Sequence, residues 1–186
     1  ALGIHPGFLT SATGPIMFGL DGMNQAAYAA GQPIPNIIGM AFSYSMTIAV
    51  LYPAFALAVL IFSKSNQLKT VGKISIAPAF FGISEPLMFG VPVVMNPFMA
   101  IPWIISPTVN VLLGWLACSS GLVARYAGVT VFNFPMGVTG ILNGSFTIAI
   151  LEVVVCIIDV LIFMPFVRIQ DKKYIDAEKA AETEQN

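Results

Sequence analysis

Glu85 is the residue of this chain best placed to do chemistry. It stands within Ile83-Ser84-Glu85-Pro86-Leu87-Met88-Phe89-Gly90-Val91-Pro92-Val93-Val94-Met95-Asn96-Pro97, and no other charged side chain lies between Lys73 and Arg125. An ionisable group kept in such apolar surroundings is costly, and its usual reason is a substrate or ion path. The carboxylate can accept hydrogen bonds from a polar solute or exchange a proton with it; the plainer reading is that it caps a break in the backbone. Ser84, beside it, is read either as a substrate contact or as a backbone cap, and Asn96 as a partner for groups freed before Pro97. Glu152 and Asp159 lie seven residues apart, hence on one face of a helix, which should point into protein or a polar crevice. Arg125 or a group outside the chain is their expected partner. Asp21, among glycines, suits a polar vestibule or a turn equally.

Cys118 and Cys156 sit in apolar runs without a CxxC or Cys/His spacing, so they read as small buried hydrophobes. No metal site and no organic cofactor is indicated. Trp103, Trp115, Tyr126 and Tyr174 read as interface anchors or packing groups before ligand-stacking platforms.

The elements that must position these groups are membrane helices. Of the 186 residues 57% are apolar and 9% charged, and mean hydropathy is +0.85; a soluble domain needs far more charge. Gly22–Ser63, Pro86–Ala124 and Tyr126–Leu151 carry no charged side chain, and each exceeds the roughly 20 residues that span hydrocarbon. Spans are expected at 36–63, 101–123 and 146–167, with short helices and loops over 7–35. Prolines at 78, 86, 92, 97, 102 and 107 each remove a backbone donor, so 78–100 is expected to be a re-entrant, broken hairpin with Glu85 near its tip. That topology leaves Lys64, Lys69 and Lys73 on the same side as Arg168, Lys172 and Lys173, as the positive-inside rule requires. Residues 168–186 are expected to be a solvated polar tail, frayed or disordered, without a nucleic-acid-binding patch. The start carries no signal-peptide layout and no initiator Met, and the chain reads as a portion of something longer.

Three stretches, Gly3-Ile4-His5, the basic loop from Ser63 to Lys73, and the Glu85-Pro86 hairpin through Asn96-Pro97, resemble the phosphotransferase-system enzyme IIC family of lactose, cellobiose and chitobiose transporters. Ser84 stands where that family has Asn, and Pro6 where it has Gly. The resemblance covers the later half of a typical member. It implies that His5 and Glu85 contact the sugar, with Ser84 adjacent, and that Glu85 also holds or helps deprotonate the hydroxyl that receives a phosphoryl group from an enzyme IIB phosphocysteine.

The reading is therefore an all-α integral membrane protein with re-entrant, proline-broken hairpins. Residues 1–167 are the membrane-embedded, substrate-binding and translocating portion and 168–186 a cytoplasmic polar tail. The expected function is the permease component of a phosphoenolpyruvate-dependent system for a β-disaccharide, in the bacterial cell membrane with its C-terminus cytoplasmic. Expected partners are the sugar, enzyme IIB, the bilayer, an N-terminal scaffold half and, when complete, a second copy. The rivals are a truncated product that does not transport, an ion-coupled transporter using Glu85 as proton carrier, and a membrane hydrolase using Glu85 and His5.

Overall fold

A computed structural model of the chain describes residues 6–94 and 96–184, and among them there are helices and no strands. In order these are α1 (Pro6–Ala29), α2 (Met40–Tyr44), a π-helical turn (Ser45–Ala49), α3 (Val50–Phe62), α4 (Asn66–Phe80), α5 (Glu85–Gly90), α6 (Pro97–Ser119), α7 (Val138–Leu142) and α8 (Phe146–Glu184). Three runs are long and apolar enough to cross a bilayer: Met40–Phe62, Pro97–Ser119 and Phe146–Ala180. A 23-residue run at a rise of about 1.5 Å per residue reaches ~34 Å, enough for a hydrocarbon core of ~30 Å.

The short helices expected over 7–35 are instead one 24-residue helix with Pro15 inside it. Tertiary bonds hold it. Asn24 takes the Asn36 amide N–H at 3.0 Å and donates to the Asn36 and Tyr126 carbonyls at 2.9 and 3.1 Å. Asp21 is buried and accepts from the Ala41 N–H at 2.9 Å and the Thr130 hydroxyl at 2.8 Å, so it caps α2 and belongs to neither a vestibule nor a turn.

The hairpin begins earlier than the prolines suggest. At fifteen residues, α4 reaches only about 22 Å. The chain then breaks at 81–84 and returns, so that a Cβ placed on Gly90 would lie 2.6 Å from Val71 near the start of α4. Folding back starts at Asn66, and Glu85 stands at the turn. The arm lies tightly against its neighbour: a Cβ on Gly72 of α4 would meet the Leu60 backbone of α3 at 3.0 Å.

The polar tail is neither frayed nor free through Glu184, because α8 continues across it. Its carboxylates are tied to the loop before α4: Asp171 accepts from the Lys64 N–H at 2.7 Å, the Ser65 N–H at 3.0 Å and the Ser65 hydroxyl at 2.6 Å. Glu178, two turns on, accepts from the Asn66 and Gln67 N–H groups at 3.3 and 3.0 Å. These donors have no intrahelical partner, and the positive end of the helix dipole favours an acid there. The contact brings the two lysine-bearing segments to one end of the bundle, as the parity of the crossings requires. Asp171→Ala should strand three donors and cost about 2–3 kcal/mol, lowering the melting temperature in detergent by roughly 5–10 °C; an unchanged midpoint would mean that the tail does not hold α4.

Two apolar cores fill the bundle. One joins Phe55, Val59, Leu68, Leu87, Met99 and Phe163; the other joins Phe42, Met46, Ala54, Tyr126, Ile148 and Val155. Cys118 and Cys156 are buried and free in the second, as read from sequence. Trp103 packs on Tyr52, Phe55 and Phe163. Glu152 and Asp159 are fully buried on the inner face of α8, but neither pairs with Arg125, whose guanidinium donates to the Ile34 and Pro35 carbonyls at 2.9 and 2.8 Å. Asp159 accepts instead from the Asn110 amide at 2.7 Å.

Candidate functional site

The break that carries Glu85 is built by three residue types in order. Gly82 adopts φ +74°, its N–H bonding the Ala79 carbonyl at 3.0 Å and the Ile83 N–H bonding the Pro78 carbonyl at 3.0 Å. This pair of reversed bonds is the Schellman ending of a helix, for which glycine is suited because the left-handed region is open to it. Pro86 then starts α5 in the first turn, where its missing N–H costs nothing. Ser84 occupies the position before α5, its carbonyl accepting from the Leu87 and Met88 N–H groups at 3.0 and 2.9 Å. At the far end Asn96 caps α6, its side-chain oxygen accepting from the Phe98 and Met99 N–H groups at 3.1 and 3.3 Å while its amide donates to the Pro92 carbonyl at 3.0 Å.

Glu85 is exposed on this chain, with no other charged side chain between Lys73 and Arg125 in sequence. Ending α4 at Phe80 lifts the next residues out of the packed row, so the carboxylate is presented at the tip. Across the break stand groups from elements far apart in sequence. A Cβ on Gly82 would lie 2.9 Å from the Tyr44 hydroxyl, 3.4 Å from Ile48 and 3.5 Å from the Asn133 amide oxygen. The Asn133 N–H donates to the Tyr44 hydroxyl at 2.8 Å, and the Tyr44 ring meets Phe132 edge-on at 5.1 Å. Tyr52 lies within electrostatic reach of Glu85 and Tyr44.

Tyr44 and Tyr52 share this face because of the π-helical turn between them. In a regular helix residues eight apart point about 80° away from one another. The turn at Ser45–Ala49 takes up one extra residue, a correction of roughly 100° that brings the two phenols back into line. Its position has a cause in the sequence: Pro53 offers no N–H to the Ala49 carbonyl and crowds it, and the π turn ends at Ala49.

Of the residues singled out from sequence, Glu85 and Ser84 are adjacent at the tip, and His5 lies outside the described residues. Tyr44, Tyr52 and Asn133 were missed. Two tyrosines flanking a proline were the available signal for the first two; Asn133 carries φ +59° in the 131–137 loop, and nothing local ties it to residue 44. An apolar groove lined by Ile141, Phe146, Ile150 and Val154 lies on another face of the molecule and offers no polar group for chemistry.

Taken together, a multi-pass helical membrane protein is defined here, with a re-entrant hairpin whose tip carries Glu85 and whose break at Gly82 packs against the Tyr44 hydroxyl and the Asn133 amide. Residues 1–107 match the family described as phosphotransferase system, EIIC, and the chain belongs to that family. It is 36% identical over 177 residues to the oligo-beta-mannoside-specific EIIC component of Bacillus subtilis (strain 168), covering 92% of this chain and 40% of that protein. Against the cellobiose-specific EIIC component of Geobacillus stearothermophilus the identity is 34% over 191 residues, covering 97% and 42%. The solved structure of the transporter ChbC, the IIC component of the N,N'-diacetylchitobiose-specific system, superposes with a TM-score of 0.86 at 36% identity, covering 91% of this chain and 41% of that one. The chain thus spans about two-fifths of the length of these relatives.

Proposed function

We propose that this chain is the sugar-holding portion of an EIIC permease, taking a β-linked disaccharide or related glycoside into the opening at Glu85. The observation that carries this reading is the meeting of the Tyr44 hydroxyl and the Asn133 amide with Gly82 at the hairpin break that ends in Ser84 and Glu85, with Tyr52 within electrostatic reach of Glu85. A sugar hydroxyl gives up hydrogen bonds to water on entry, and each must be replaced. A carboxylate accepts two or more of them, phenols and amides both donate and accept, and the exposed rings of Phe132 and Phe89 offer apolar area for the faces of a pyranose. The relatives are named for oligo-β-mannoside, lichenan, cellobiose and lactose, which supports a β-linked substrate. His5 is assigned to the same sugar on the strength of its Gly-Ile-His motif.

Glu85 is further assigned to the acceptor hydroxyl, orienting it or accepting its proton as a phosphoryl group arrives from the phosphocysteine of an enzyme IIB partner. The remaining partners are an N-terminal scaffold half and, in the assembled transporter, a second copy. The shared basic end of the bundle supports a cytoplasmic C-terminus. Residues 1–167 are taken as the membrane portion and 168–186 as the cytoplasmic segment.

Calorimetric titration of the purified protein with cellobiose, lactose and diacetylchitobiose, alone and with a supplied scaffold half, tests the reading. Saturable binding of at least one β-disaccharide, weakened by His5→Ala, is expected. Absence of binding to all three under both conditions would sink it.

A further inference from the structure

Glu152 is wholly buried on α8, two helical turns before Asp159, and its hydrogen-bond partners are none of the residues at the hairpin break. One oxygen accepts from the Ser45 hydroxyl at 2.5 Å and the Thr139 hydroxyl at 2.6 Å; the other accepts from the Gly137 N–H at 2.5 Å. Because Ser45 spends its proton on Glu152, the 2.8 Å contact between the Ser45 and Tyr126 hydroxyls has Tyr126 as donor. Every protein group around this carboxyl is a donor, and the carboxyl acts solely as acceptor.

What those donors belong to gives the network its meaning. Ser45 is the first residue of the π turn and follows Tyr44 directly. Gly137 and Thr139 open α7 and close the loop that holds Asn133. Tyr44 and Asn133 are the two groups that face Gly82 at the break, and they are joined to each other by the 2.8 Å bond from the Asn133 N–H. Glu152 therefore grips, from behind, both segments whose front edges meet the break at Gly82, three residues before Glu85. A π turn is a local departure from the helical ladder, and such turns recur at functional sites. Here Pro53 sets the far end of the turn, and a side-chain bond at its first residue holds the near end and with it the heading of Tyr44.

We propose that Glu152 is a positioning residue for the sugar site: through Ser45 and through Gly137 with Thr139 it sets Tyr44 and Asn133 in register against Glu85. This inference rests on the sugar-binding reading given above. A Gln at 152 keeps the size of the side chain but removes its charge. With its oxygen on the Gly137 N–H, its N–H₂ group faces the Ser45 and Thr139 hydroxyls, which must turn from donors to acceptors, so the short charge-assisted bonds that hold the two segments are loosened. Groups held within about 0.5 Å of their productive geometry lose their function with small displacements, so the effect should reach the sugar although nothing at 152 touches it.

The test is sugar titration of the purified protein carrying Glu152→Gln, Glu152→Asp or Ser45→Ala, with thermal melting and circular dichroism recorded on the same samples. Glu152→Gln should bind the best β-disaccharide about tenfold or more weakly while remaining helical. Glu152→Asp, which keeps two acceptor oxygens on a shorter stem, should recover part of the loss. Ser45→Ala removes one donor to Glu152 together with the acceptor of the Tyr126 hydroxyl, and provides the answer should Glu152→Gln fail to fold; it should weaken binding about threefold. In the double variant with Glu85→Gln the two losses should fall short of additive, because a displaced Tyr44 and Asn133 leave less for Glu85 to act with. Wild-type affinity in folded Glu152→Gln and Ser45→Ala, with only the melting temperature lowered, would overturn the proposal and leave the sugar-binding reading intact. A wild-type protein that binds no sugar would overturn both.

Discussion

Glu85→Gln should weaken the binding of a β-disaccharide by roughly tenfold to a hundredfold while leaving the melting temperature nearly unchanged. The carboxylate is exposed at the tip and the α5 turn is held by the Ser84 carbonyl rather than by its side chain, so stability has little to lose. Hydrogen bonds to a charged acceptor contribute about 1.5–3 kcal/mol, and each 1.4 kcal/mol is about tenfold in affinity. Gln presents one oxygen of the right kind and one nitrogen of the wrong kind to hydroxyl donors. Titration calorimetry reads the affinity and differential scanning fluorimetry the stability. In the assembled transporter with its phosphoryl donor, the same variant should also slow phosphorylation at saturating sugar. A variant that binds normally and phosphorylates at the ordinary rate would remove Glu85 from the site altogether.

Gly82→Ala has the second large effect, and a control within the same chain separates its two causes. At φ +74° any side chain meets the left-handed penalty of about 1–2 kcal/mol. Gly31, at φ +65°, has the same penalty but open space around it, whereas a methyl group on Gly82 would come within 2.9 Å of the Tyr44 hydroxyl. Gly31→Ala should therefore lower the melting temperature modestly and leave sugar affinity alone. Gly82→Ala should lower it further and also cost about tenfold or more in affinity, since either the break or Tyr44 must give way. Equal affinities in the two variants would mean that the packing of Tyr44 against the break is irrelevant to binding.

Much of the architecture was legible because the bilayer leaves a chain few options. Long uncharged runs can satisfy their backbone groups only as helices, and the dense prolines around Glu85 could not continue one. What sequence could not fix was where the chain folds back. Prolines mark the region where a helix is interrupted, but the returning arm at α4 contains ordinary helix formers from Asn66 onward, and its shortness emerges only from the Schellman ending at Gly82. The tail misled for a similar reason. Asp171, Glu178 and the neighbouring lysines look like a solvated surface until the unpaired N–H groups of Ser65, Asn66 and Gln67 are found against them.

The candidate site was legible only as its local part. Ser84 and Glu85 declare themselves by standing alone among apolar neighbours, and Asn96 by preceding a proline. Tyr44, Tyr52 and Asn133 are brought to them by a π turn and by tertiary packing across 89 residues of sequence, for which no periodicity gives warning. Glu152 shows the limit from the other side. Its spacing from Asp159 correctly placed both on an inward face, yet Arg125 is not its partner, because hydroxyls and a backbone N–H meet the demand of that carboxylate.

The bonds from Asp171 and Glu178 to the start of α4 have a mechanical result. They lash the root of the re-entrant arm to the longest rod in the molecule, so neither can tilt, slide or swivel without dragging the other. Any displacement of the Glu85 tip about that root would then be shared by α8, and a crosslink that immobilises α8 would be a brake on the tip.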